Sequence, residues 1–118
     1  MAISMYLMRR IAACGAALGL FTLASMAQAA DPMPQEFQGA NLAKGQQLYT
    51  ELKCAACHAE RMMGSTSAMY TRADRKVHNP KQLLAFTQMC VTQLNHDLFP
   101  EEVKDIAAYL NQTYYKFK

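Results

Sequence analysis

Cys54 and Cys57 stand three positions apart, and His58 directly follows the second thiol. Each thiol at that spacing can add to one vinyl group of a porphyrin. The short Ala55-Ala56 turn between them then brings the following imidazole beneath the ring to ligate its iron. Cys-x-x-Cys-His is the spacing of covalent c-type haem attachment. Two other chemistries use similar residues. A redox dithiol needs a strand before the motif and a βαβ context, and no segment of useful length alternates with a period of two. A structural zinc site would have to recruit His78, His96 or Cys90, and the chain lacks the paired second half of a zinc ribbon. We therefore expect one covalent haem c, held by Cys54 and Cys57, with His58 as the proximal iron ligand.

The first 29 residues place this chemistry outside the cytoplasm. Arg9-Arg10 precede an apolar, small-residue run from Ile11 to Met26, and Ala27-Gln28-Ala29 forms an A-x-A exit. That order of charge, apolar core and small residues reads as a cleavable secretory signal peptide. The apolar run is short and rich in Ala and Gly for a membrane anchor, so the mature chain is expected not to insert in a membrane. Cys14 lies before the apolar core and is discarded with the signal. The expected location is the periplasm.

Residues 30–118 remain. Taking the two signal-peptide arginines from the chain's 12 Lys+Arg leaves 10 against 9 Asp+Glu, a formal +1. Two haem propionates bring that to zero or below. The charge then says nothing for nucleic acid or anionic membranes, no basic aromatic patch appears, and nucleic acid is not expected as a partner. A domain of this size buries a marginal core and usually needs a staple. A covalently held haem serves as one, its apolar faces replacing side chains the sequence lacks.

The elements that must position the motif are helical. Residues 30–40, with Pro32, Pro34 and Gly39, read as an irregular lead-in to a haem domain over 41–118. Asn41 is the expected N-cap of a first helix, along which Leu42, Gly45, Leu48, Tyr49 and Leu52 recur at helical spacing. Gly45 inside it implies close approach of another helix. The haem motif is expected at the end of this helix. Glu60 to His78 read as a loop wrapping one side of the haem. Asn79-Pro80 opens a second helix to about Leu94, and Pro100-Glu101-Glu102 opens the last. Val103, Ile106, Ala107, Leu110 and Tyr114 form its stripe. The expected fold class is all-α, a small helical domain wrapped around one haem.

Ala43-Lys44-Gly45-Gln46-Gln47-Leu48-Tyr49 followed by Cys54-Ala55-Ala56-Cys57-His58 resembles the N-terminal helix and haem site of class I cytochromes c. The resemblance implies that the glycine and aromatic of the first helix cross the last helix near a second aromatic, here Tyr109. It also implies electron transfer. Members of that family present a distal methionine from the loop before the last helix, but Asn95-His96-Asp97-Leu98-Phe99 contains none. Residues 89–102 are instead similar in spacing to sphaeroides haem protein, an oxygen-binding cytochrome with a weak distal asparagine on its penultimate helix. Met89 falls on that asparagine and Cys90 on the cysteine after it. Leu98 falls on the family's second cysteine, so its disulfide cannot form here.

Met89 is accordingly the distal candidate and Cys90 the alternative. Three readings of Cys90 stand together: a buried small hydrophobe near the centre of an apolar stripe with Leu83, Phe86 and Leu94; a distal thiolate; and an intermolecular disulfide linking two copies. Met62, Met63 and Met69 reach the iron only if the loop folds back over the opposite face. His78 and His96 would give bis-histidine ligation. One of Arg72, Arg75 and Lys76 is a candidate to pair with a propionate, and Tyr114-Tyr115-Lys116-Phe117 should pack the end of the last helix.

The expected function is single-electron transport between a redox donor protein and an acceptor, without conversion of a substrate. The alternative is binding or sensing of a small gas, oxygen, nitric oxide or carbon monoxide, at a weak distal site.

Overall fold

A computed structural model describes residues 32–118; the expected signal peptide lies outside them. Asn41 caps the first helix, α1 (Leu42–Glu51), its side-chain oxygen accepting from the Lys44 N–H at 3.0 Å. Lys53, at a left-handed φ of 52°, breaks the chain direction immediately after. The haem motif therefore does not trail α1 as expected. It occupies the first turns of a helix of its own, α2 (Cys54–Arg61).

The expected loop over 60–78 is shorter than the sequence suggested. Glu60 and Arg61 complete α2, and a single helical turn, α3 (Ala68–Thr71), interrupts the rest. Ser65 starts that turn by accepting from the Ala68 N–H at 3.1 Å. A one-turn helix held by a local hydroxyl leaves no periodic apolar signal, so the sequence pattern could not reveal it.

The later helices begin where their caps predict. Asn79 accepts from the Gln82 N–H at 2.8 Å to open α4 (Pro80–Gln93), and Gln82 reaches back to the His78 N–H at 2.8 Å. Glu102 accepts from the Phe99 N–H at 3.0 Å at the start of α5 (Pro100–Leu110). A π-helical turn, Asn111–Tyr115, extends α5. Buried Asn111 then grips the Phe117 backbone at both its N–H (2.9 Å) and its carbonyl (3.1 Å), closing the C-terminus.

The core is built on the crossing of α1 and α5. Tyr49 and Tyr109 meet there with ring centroids 5.5 Å apart, the pairing the family resemblance implied. Asp105 of α5 is 8 % exposed and accepts from the Asn41 N–H at 2.7 Å, tying the start of α1 to α5. Val103, Ile106, Ala107 and Leu110 are buried, as the stripe predicts, whereas its fifth member, Tyr114, is half-buried and Tyr115, in the π-helical turn, is buried instead. Phe37, in a 3₁₀ turn (Gln35–Phe37) within the lead-in, is completely buried. A single anchoring aromatic has no period, and the lead-in gave no sign of it.

On α4 the buried line is Leu83, Thr87 and Val91, not one centred on Cys90. Thr87 tolerates burial because its hydroxyl donates to the Leu83 carbonyl at 2.8 Å. Among the described residues there is no strand, and the fold is all-α.

Candidate haem-binding site

Cys54, Cys57 and His58 sit at i, i+3 and i+4 of α2, which places them on one face of the helix. All three are half-buried and line a cavity of about 560 Å³. Leu83, Phe86 and Val91 of α4 and Ile106 and Leu110 of α5 supply apolar walls. The volume lies within the range of small-molecule and cofactor sites.

Burial, then the nearby Arg61 guanidinium, holds the His58 imidazole below its usual pKa and so favours the neutral form a metal requires. Its Nδ1 meets the hydroxyl of Tyr70. The Tyr70 hydroxyl lies 3.2 Å from that of Tyr49. Burial pushes both phenols upward, so both remain protonated at neutral pH. Tyr70 is 3 % exposed, stacked on Tyr114 with centroids 4.9 Å apart and edge-on to His58 at 5.2 Å. The sequence reading did not single out Tyr70; its only signal was that no other Phe, Trp or Tyr lies between Glu60 and His78.

Met89 and Cys90 both line the cavity from α4. Met89 lies on the helix flank, 45 % exposed. Cys90 is half-buried, and its thiol is raised first by burial and then by Cys57. Cys54 is likewise raised by burial and by Cys90, so the three thiols face one space. Met62 and Met69 also reach the cavity, whereas Met63 is fully exposed and does not. His78 and His96 are not among its lining residues.

Arg61, Arg72, Arg75, Lys76 and Asp74 complete the lining. Arg72 donates to both carboxylate oxygens of Asp74, from Nε to Oδ1 and from Nη2 to Oδ2 at 2.6 Å, and this hydrogen bonding holds Asp74 below the usual carboxylate range. Arg75 lies over the rings of Tyr115 and Phe117, 5.1 and 5.6 Å from their centroids. It also donates to the Tyr70 carbonyl at 3.2 Å.

These residues fit haem c. Two thiols and a neutral imidazole share one helix face, apolar walls suit a flat hydrophobic ring, and a surplus of cations suits two propionates. A bare ion fits poorly, since no group of three or more His, Cys, Asp or Glu among the described residues is arranged to hold one. A redox dithiol of the βαβ kind finds no strand before the motif among the described residues.

The sequence profile of a family described as cytochrome c oxidase, cbb3-type, subunit III matches residues 40–110. No curated protein and no solved structure matches the chain.

Proposed function

The chain belongs to the cytochrome c oxidase, cbb3-type, subunit III family, a family of class I cytochrome c domains, and from that premise we propose an exported monohaem electron carrier. Cytochrome c domains bind haem covalently and transfer electrons. The observation that carries the finer reading is the shared face of Cys54, Cys57 and His58 on α2, turned to a single cavity of about 560 Å³.

When bound, haem c supplies a one-electron ferric/ferrous couple. Cys54 and Cys57 would hold it through thioether bonds, and the His58 imidazole would ligate its iron. Met89 of α4, which lines the same cavity, would supply a second iron ligand in this reading, a soft thioether that would favour the ferrous state and raise the potential. Cys90, one position along and also facing the cavity, is the alternative. Leu83, Phe86, Val91, Ile106 and Leu110 would keep water from the bound group, which would penalise net charge there. Arg61, Arg75 and Lys76 offset the propionates. The domain works as a carrier rather than an enzyme, exchanging electrons with a donor and an acceptor protein. Its near-neutral balance gives those encounters a shallow dependence on salt. Residues 1–29 direct it to the periplasm, where attachment of haem c belongs. Among the described residues no helix is long and apolar enough to cross a membrane.

The exposed position of Met89 favours a second reading. A sulfur held on a helix flank is easier to displace than one locked in a loop, which would open the iron to oxygen, nitric oxide or carbon monoxide. Carbon monoxide added to the reduced protein separates the two. An unchanged Soret band together with a reversible one-electron redox titration supports the carrier, whereas a large and fast shift supports gas binding.

A further inference from the structure

We propose that Tyr70 is the positioning residue for the proximal ligand, accepting the His58 Nδ1 proton and thereby lowering the reduction potential of the site. The proposal rests on the haem reading above and concerns how this chain tunes it.

An imidazole that ligates iron through Nε2 keeps its proton on Nδ1, so Nδ1 can only donate. The group that meets Nδ1 here is the Tyr70 hydroxyl. A hydroxyl has one proton and two lone pairs. With one lone pair taken by His58, Tyr70 must send its own proton elsewhere, and the Tyr49 oxygen stands 3.2 Å away. Ligation therefore imposes one direction on the chain: His58 to Tyr70 to Tyr49. A phenol already donating to Tyr49 is a better acceptor than an isolated one, because successive hydrogen bonds polarise each other.

Tyr70 is also held firmly. Tyr114 stacks on its ring at 4.9 Å, Tyr115 meets it edge-on at 5.8 Å, and Arg75 donates to its carbonyl at 3.2 Å. An acceptor fixed from several sides orients the imidazole plane as well as its tautomer. Outer partners of metal-bound histidines raise ligand basicity in this way. A more basic imidazole stabilises the ferric state, so removing the acceptor should raise the potential.

The test compares three holoprotein variants, each losing one hydroxyl and keeping its ring. Tyr70→Phe should remain red and covalently loaded, with a reduction potential shifted upward and altered ferric EPR g-values. Tyr49→Phe leaves the acceptor in place and should shift the potential in the same direction by less. Tyr114→Phe packs on Tyr70 without bonding His58 and should leave it unchanged. A Tyr70→Phe potential and EPR spectrum equal to wild type would overturn the proposal while leaving the haem reading intact. If Tyr70→Phe does not mature, NMR of the reduced wild-type protein decides. A slowly exchanging His58 Nδ1 proton with a nuclear Overhauser contact to the Tyr70 ring is the expected result. Rapid exchange with solvent, or no such contact, overturns it. A wild-type chain that never acquires covalent haem removes both readings together.

Discussion

The carbonyl oxygen of Asp105 lies where a side chain on Gly45 would have to go: a Cβ there would stand 2.0 Å from it. The contact is with backbone, so no rotamer change relieves it. Gly45→Ala should gain about 1 kcal/mol of helix propensity and lose more to the clash. The loss belongs at or beyond the upper end of the roughly 1–3 kcal/mol typical of overpacking. Thermal unfolding of the holoprotein measures the balance, and a melting temperature at or above wild type contradicts the crossing geometry.

Asn111 should be a structural residue with no part in redox chemistry. Its amide satisfies both backbone groups of Phe117 at 2.9 and 3.1 Å from a buried position. Asn111→Ala removes both bonds, at roughly 1 kcal/mol each. A lower urea midpoint with an unchanged visible spectrum is the expected outcome. A changed spectrum with unchanged stability would reverse the assignment.

The distal sulfur can be identified by paired substitutions on α4. If Met89 ligates, Met89→Ala should abolish the long-wavelength charge-transfer band of thioether-ligated ferric haem and lower the potential, while Cys90→Ser leaves both in place. A low-spin thiolate EPR signal that disappears in Cys90→Ser assigns the role to Cys90 instead.

Tyr115 gives the domain a defined weakness at alkaline pH. Burial pushes its phenol from 10.0 up to about 12, against the lowering effect of Arg75. The folded state thus prefers the neutral phenol. Its contribution is complete below pH 10 and is lost as pH rises through about 12. Denaturant titrations across that window should show falling stability, and Tyr115→Phe should flatten this part of the slope. An equally steep fall in the variant would place the alkaline sensitivity elsewhere.

How far the molecule could be read from its sequence depended on how local each signal was. Asn41 and Asn79 announce their helices because a cap is a contact between residues three apart. Gly45 announced a helix crossing because a glycine in a helix needs a reason, and Asp105 is that reason. Cys54, Cys57 and His58 are chemistry written in five consecutive residues. Phe37 and Tyr70 were invisible for the opposite cause. Each is a lone aromatic whose role comes from groups distant in the chain: the core for Phe37, and His58, Tyr49 and Tyr114 for Tyr70. Of the readings open for Cys90, the structure favours one facing the cavity over a place in the closed core, because Thr87, polar by type, takes the buried line through its bond to Leu83 while Leu83, Phe86, Cys90 and Leu94 line the cavity.

Covalent haem is the claim on which the rest stands, and intact-protein mass under denaturing conditions tests it most directly. Chain produced with a working c-type maturation system should carry the added mass of one haem, stay red through acid-acetone extraction, and lose both properties in the Cys54→Ser, Cys57→Ser double variant. An unmodified mass for the wild-type chain, with the colour extracted into solvent, would contradict the account.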